Sequence, residues 1–333
     1  MPEERLPFGA MSDHVPLLMR HPGNPIITAA ALPYPANSVF NPAAAVVEDE
    51  TLLLMRVEDR RGISHLSVAR SADGVSGWRF DSQPALSPAP ERHREEVWGI
   101  EDPRITWLPE RQAWAVAYTA YSHRGPLVSL ALTTDFRRFQ RLGPVMPPED
   151  KDAALFPRRF DGRWALIHRP TPLRGGVNMW LSHSPDLRYW GEHSMLLEAR
   201  EGAWWDAGKV GLGPPPLETE EGWLLMYHGA HSTARGAIYR LGLALLDLDD
   251  PRQVLRRSDE WVFGPLEPYE LAGDVPDVVF PCGWTLDPAS GHLNVYYGAA
   301  DTSICLATAK MADVLDYLRQ CPRPERRRHS DTP

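Results

Sequence analysis

Cysteine is scarce, with three in 333 residues (Cys282, Cys305 and Cys321) and no C-x-x-C spacing among them. An odd number of unpaired thiols argues against a disulfide framework and against a zinc site, and it fits a reducing compartment. Long apolar runs are missing as well. No stretch of about 18 apolar residues occurs, and the opening MPEERLPFGAMSDH lacks the apolar core of an export signal. A cytoplasmic protein with no membrane partner is therefore expected. Positive charge is the third shortage: Lys and Arg number 35 against 44 Asp and Glu, a formal net charge of −9. That is the reverse of a nucleic-acid-binding surface, so no nucleic-acid partner is expected either. A small anion would have to be held by a local cluster of cations. Helical periodicity is scarce until MADVLDYLRQ (311–320), where Met311, Val314, Leu315 and Leu318 share one face and predict a short C-terminal helix.

What is plentiful is the material of a packed β-protein. Hydrophobic residues make up 43% and charged residues 24%, the balance of a chain that folds around a core. Five short apolar segments recur: TLLLMRVED (51–59), AWAVAYTAYS (113–122), RWALIHRP (163–170), WLLMYHGAH (223–231) and HLNVYYGAAD (292–301). Their spacing of roughly 50–70 residues suits four-stranded propeller blades with insertions better than a short solenoid repeat. The expected fold is all-β, a single five-bladed β-propeller over residues 21–320, with these five segments as the strands nearest the axis. Residues 1–20 read as an N-terminal extension. Residues 321–333, rich in Pro and Arg, read as a disordered tail whose charges are solvated. A second repeat, in SVARSADGVSGWRF (67–80), LALTTDFRRFQRLG (130–143) and LSHSPDLRYWGEH (181–193), places an Asp in a hairpin turn where it bonds the backbone that follows. It marks architecture rather than chemistry.

In a propeller, polar residues at matching ends of the repeated strands share one central pocket. That criterion selects Arg56, Glu58, Tyr121, Ser122, His168, Arg169, Tyr227, His228 and Asp301. The densest candidate is WGIEDPR (98–104), where adjacent Glu101 and Asp102 precede a proline that fixes the chain. Alternation along an extended strand lets only one of the two carboxylates face a given pocket. An Asp-Pro turn competes with a functional reading there, and the residues alone leave both open.

Eight ordered blocks carry a resemblance: NSVFNPAAAV (37–46), LLLMRVEDRRGIS (52–64), GIEDPR (99–104), KDAALFPRR (151–159), HRP (168–170), GKVGLGPPP (208–216), MYHGA (226–230) and YYGAADT (296–302). Together, from about residue 20 to 310, they resemble glycoside hydrolase family 130, the β-mannoside phosphorylases and related β-mannosidases. The resemblance implies a five-bladed propeller, in agreement with the repeat count. It gives Asp102 the role of general acid, places Asn41, Arg56 and Asp301 around the mannose, and places Lys151, Arg169 and His228 around phosphate, with Lys209 in the same region. Glu101 is structural by the same comparison. The GKVGLG block lacks the ending of a nucleotide P-loop, so ATP is not expected.

The reaction so implied inverts the anomeric centre. Inorganic phosphate is co-substrate, the products are α-mannose 1-phosphate and a shortened acceptor, and Asp102 acts through the sugar's own 3-hydroxyl. No organic cofactor and no metal are implied; the partners are a β-mannoside oligosaccharide and phosphate. Phosphate is already anionic, so it dispenses with the second carboxylate that hydrolysis needs, provided cationic donors hold it. Three readings compete: an inverting hydrolase of the same family, a non-catalytic sugar-binding propeller, and a glycosidase of the arabinanase kind, which would want three dispersed carboxylates and no cationic trio. Segments 81–97 and 264–282 are expected to line the acceptor side, with Tyr121 and Phe280 as stacking faces. The acceptor, the linkage and the oligomeric state stay open, a homo-oligomer included.

Overall fold

A computed structural model describes residues 16–173, 176–234 and 236–324. Most of the expected N-terminal extension (1–15) and most of the expected tail (325–333) lie outside the described residues. The described chain forms five antiparallel sheets, the five blades expected from the repeats. In chain order their innermost strands are Ser38–Val47, Ile100–Leu108, Asp150–Phe160, Lys209–Leu212 and Val279–Asp287. The ring closes between first and last: Met19–Arg20 pairs with Ser303–Lys310 as the outermost strand of the fifth blade. That strand lies in the stretch expected to precede the propeller. Among the described residues no helix is long and apolar enough to cross a membrane.

The five apolar segments are strands, but they are second from the axis rather than innermost. Glu50–Glu58, Ala113–Ser122, Arg163–Pro170, Gly222–Thr233 and His292–Ala299 each pair outward from an innermost strand. The reason is packing. A second strand is covered on both faces by neighbouring blades, so it reads as an unbroken apolar run; Leu52, Leu53, Leu54 and Met55 are all buried. Three of the innermost strands instead carry Asn41-Pro42, Asp102-Pro103 or Asp152 near their start, which breaks the apolar signal.

The hairpin marks behave as expected. Asp73, Asp135 and Asp186 each accept two backbone N–H groups from residues two and three further on. Those bonds hold each carboxyl below the usual carboxylate range. Met311–Gln320 is the expected helix; its Val314 and Leu318 are buried against Leu18, Val295 and Ala307. Each such side chain contributes roughly 1.5–3 kcal/mol on leaving water.

Candidate active site

The site begins with three bulges. Asn41, Asp102 and Asp152 occupy equivalent places near the start of three successive innermost strands, with φ of 46°, 48° and 54°. At each the pairing register slips. Left-handed backbone costs an ordinary residue about 1–2 kcal/mol, and Asn and Asp tolerate it best. The bulge breaks strand alternation and turns an extra side chain to the channel. This overturns the expectation that only one of Glu101 and Asp102 faces the pocket: Arg56 reaches Glu101 at 3.1 Å and Asp102 at 3.0 Å.

Asp102 is buried at the centre. Its Oδ1 accepts from Asn41 Nδ2 at 2.9 Å and Arg56 Nη1 at 3.0 Å, and its Oδ2 accepts from Lys151 Nζ at 3.4 Å. Arg56 is held in turn by Ser64 Oγ at 2.9 Å and lies 4.5 Å over the Phe40 ring. Gly298 makes room for this arrangement, because a Cβ there would fall 2.0 Å from Asn41 Oδ1. Burial pushes the Asp102 carboxyl up, but Arg56, then Lys151 and Arg104, outweigh it, and the acid lies far below its ordinary range. Asp301 feels the same neighbours with the opposite result: burial dominates over Arg56, and its carboxyl is pushed up to about 6.

That difference yields a stability prediction. A carboxyl at about 6 when folded, against 3.8 ordinarily, binds its proton more tightly in the native state. Stability therefore falls as pH rises between those values and stays lowered above them. Asn keeps the left-handed backbone that residue 301 needs, with φ 51°. Asp301→Asn should raise thermal stability at pH 7.5 by on the order of 1–3 kcal/mol and leave it unchanged near pH 3.5. A calorimetric series over that pH range measures it; an equal gain at both ends would assign the effect to something other than titration.

Beside Asp102 lies a basic cluster organised by a carboxylate that the sequence reading passed over. Arg169 Nε and Nη2 both approach Asp152 Oδ2 at 2.8 Å, and Arg104 Nη2 lies 3.6 Å from Asp152 Oδ1. His228 Nε2 lies 3.5 Å from Asp152 Oδ2, too far for a good hydrogen bond, and neither of its ring nitrogens has a partner. Burial holds the His228 imidazole well below its ordinary range and so neutral. The expected trio is therefore two cations and a neutral donor. Gly211 permits the approach, since a Cβ there would sit 2.5 Å from His228 Cε1 and 2.6 Å from Asp152 Oδ2. Lys209 Nζ contacts the Tyr239 hydroxyl and lies 4.6 Å from that ring's centre. Arg104 is a tie rather than a ligand: it donates to the carbonyls of Asp102, Leu212 and Gly213 and joins the second blade to the fourth.

The structure thus brings together Asn41, Arg56, Asp102, Lys151, Arg169, His228 and Asp301, with Lys209 at the edge. Others stand apart. Tyr121, 37% exposed, packs against Trp98 at the rim with ring centres 5.5 Å apart. Tyr227 bonds Asp206 and Arg257 within the fourth blade, and His168 bonds Asp150 and Ser182 within the third. Side chains of a second strand mostly enter the spaces between blades, which is why matching ends did not suffice as a criterion. Phe280 is buried, its ring 4.8 Å from that of His228. Asp152 had a signal: Asn-Pro, Asp-Pro and Asp-Ala recur in FNPA, EDPR and KDAA. Tyr239 had none, because GAIYRLG places it in a third strand whose register only the fold reveals.

Comparison with known proteins gives the family. Residues 20–320 match the family described as beta-1,4-mannooligosaccharide phosphorylase, glycoside hydrolase family 130. Beta-1,4-mannooligosaccharide phosphorylase of Ruminococcus albus is 34% identical over 314 residues, 91% of each chain. Beta-1,2-mannobiose phosphorylase of Listeria innocua is 38% identical over 257 residues, 77% of this chain and 69% of that one. A solved structure of beta-1,2-mannobiose phosphorylase from Listeria innocua with beta-1,2-mannobiose superposes with a TM-score of 0.81 at 31% identity, covering 91% of this chain and 99% of the other. The chain belongs to glycoside hydrolase family 130.

Proposed function

We propose that this protein is an inverting β-mannoside phosphorylase that transfers a mannosyl group from a β-mannoside to inorganic phosphate. One observation carries the reading. Lys151, 3.4 Å from the buried acid Asp102, pairs directly with Arg169 across two strands, and His228 beside Asp152 has buried ring nitrogens without hydrogen-bond partners. Two cations and an unmet imidazole N–H next to a buried carboxylic acid are the donors an anionic co-substrate needs, and buried polar atoms are seldom left unpaired. On this reading Asn41, Arg56 and Asp301 hold the mannose, and Lys151, Arg169, His228 and Lys209 hold phosphate. Tyr121 offers a stacking face to the acceptor at the rim.

A phosphate oxygen attacks the anomeric carbon from the side opposite the leaving group. The bond from that carbon to the glycosidic oxygen breaks, and the Asp102 proton reaches this oxygen through the sugar's 3-hydroxyl. The products are α-mannose 1-phosphate and the shortened acceptor. Asp102 is ionised in the free protein, so it must gain its proton in the complex. A bound phosphate dianion beside Lys151 opposes that cation's field at Asp102 and favours the protonated acid.

The rival is an inverting hydrolase, which needs a carboxylate base. Asp152 is a poor one, held ionised by Arg169, whereas Asp301 at about 6 has the basicity. Incubating β-1,2- and β-1,4-mannobiose with and without phosphate separates the two. The phosphorylase gives mannose 1-phosphate and no turnover without phosphate; free mannose at a phosphate-independent rate would establish the hydrolase.

A further inference from the structure

The third blade carries a chain of polar side chains that no step of the reaction uses. Asp150 opens the innermost strand. Its Oδ2 lies 2.6 Å from His168 Nδ1, and its Oδ1 accepts the backbone N–H of Arg169 at 3.1 Å. His168 Nε2 lies 2.7 Å from Ser182 Oγ, which in turn lies 2.7 Å from His193 Nδ1. The chain therefore crosses all four strands of the blade, from beneath the basic cluster to an exposed histidine at the outer edge.

The order Asp–His–Ser is that of a nucleophilic triad, and the burial rules that role out. Ser182 is 0% exposed, and its hydroxyl is taken up between two imidazoles, so no acyl or glycosyl group reaches it. What the chain does hold is the main chain of Arg169. Asp150 is one residue before Lys151, His168 is one residue before Arg169, and Lys151 pairs directly with Arg169 across the two strands. A carboxylate that clamps both the His168 ring and the Arg169 amide fixes where the guanidinium starts. His168 is fixed at both nitrogens, by Asp150 on one side and Ser182 on the other.

Resting on the phosphorylase reading, we propose that Asp150 and His168, braced by Ser182 and His193, are positioning residues for the phosphate ligand Arg169. With His168 Nδ1 donating to Asp150, Ser182 donates to His168 Nε2 and His193 Nδ1 donates to Ser182, so both ring nitrogens of His168 and the Ser182 hydroxyl are partnered.

Steady-state kinetics with inorganic phosphate and whichever mannobiose the wild type cleaves test this. Arg169→Ala sets the scale for a lost ligand, a rise of about tenfold or more in the KM for phosphate. His168→Leu, which removes the donor to Asp150, should raise that KM about three- to tenfold while the KM for mannobiose stays within about twofold, because small misplacements of a binding group are costly. His168→Asn, whose amide can still donate to Asp150, should recover most of the affinity. If His168→Leu does not fold, Ser182→Ala decides, with a rise of about twofold or more confined to phosphate. Wild-type phosphate affinity in these variants, or equal changes in both KM values, overturns the inference and leaves the phosphorylase intact. Phosphate-independent release of mannose by the wild type overturns both.

Discussion

Asp102→Asn should lower turnover of an unactivated β-mannobiose by at least about a hundredfold, the usual scale of general acid catalysis. Asn keeps the size of the side chain and tolerates the left-handed backbone at this bulge. Its carbonyl oxygen can still accept from Asn41 and Arg56, which both meet Asp102 Oδ1. What it lacks is a proton that can leave. The KM for the mannoside should accordingly move by only a few-fold, and the loss should fall in kcat. A nitrophenyl β-mannoside, whose leaving group departs without protonation, should suffer far less. Near-normal turnover of the disaccharide would remove Asp102 from the role of acid, and an equal loss on both substrates would mean that the variant disturbs binding geometry instead.

The two carboxylates at the centre of the candidate site were unevenly legible. Asp102 stands beside a proline in a dense polar motif, and its family block is distinctive. Its electrostatic state was not legible, because that state depends on Arg56 and Lys151 arriving from two other blades. Asp301 is on no strand at all. Its raised carboxyl follows from burial among charges contributed by three other stretches of chain.

The fold shows the same division. Five apolar runs announced five blades because a strand covered on both faces needs an unbroken apolar sequence. The same argument placed those runs one position too close to the axis, since it identifies double coverage and not the channel. Three of the five innermost strands gave themselves away only through their irregularity, a left-handed Asn or Asp and a neighbouring Pro or Ala. Hydrogen-bonded Asp turns were legible because their physics is local, within three residues. Tyr239 beside Lys209 and Arg104 beneath Asp102 were not, because both depend on long-range register.

Asp152→Ala should be the most destabilising single change in the basic cluster. Asp152 is fully buried, and Arg169, Arg104 and His228 all approach it. Removing one member of a buried charged group leaves the others uncompensated, at a cost of about 3–5 kcal/mol. Ala also lacks the tolerance of Asp for the left-handed backbone here. The thermal midpoint at pH 7 should drop by roughly 5–15 °C, and Asp152→Asn, which keeps shape and backbone preference, should lose less. The pH dependence identifies the charge as the cause. Burial raises the Asp152 carboxyl, but Arg169 and then Lys151 outweigh it and hold it well below the ordinary range. Its stabilisation is therefore complete above about pH 4 and is lost as pH falls further. The gap between wild type and Asp152→Ala should be widest at neutral pH and narrow below pH 4. Inorganic phosphate supplies a further check, because an anion bound among the unneutralised cations takes the place of the missing carboxylate. Added phosphate should raise the melting temperature of Asp152→Ala more than that of the wild type, in proportion to its tighter binding. A gap that does not change with pH, or an equal response of both proteins to phosphate, would show that Asp152 supports the bulge and leaves the charge of the cluster to other groups.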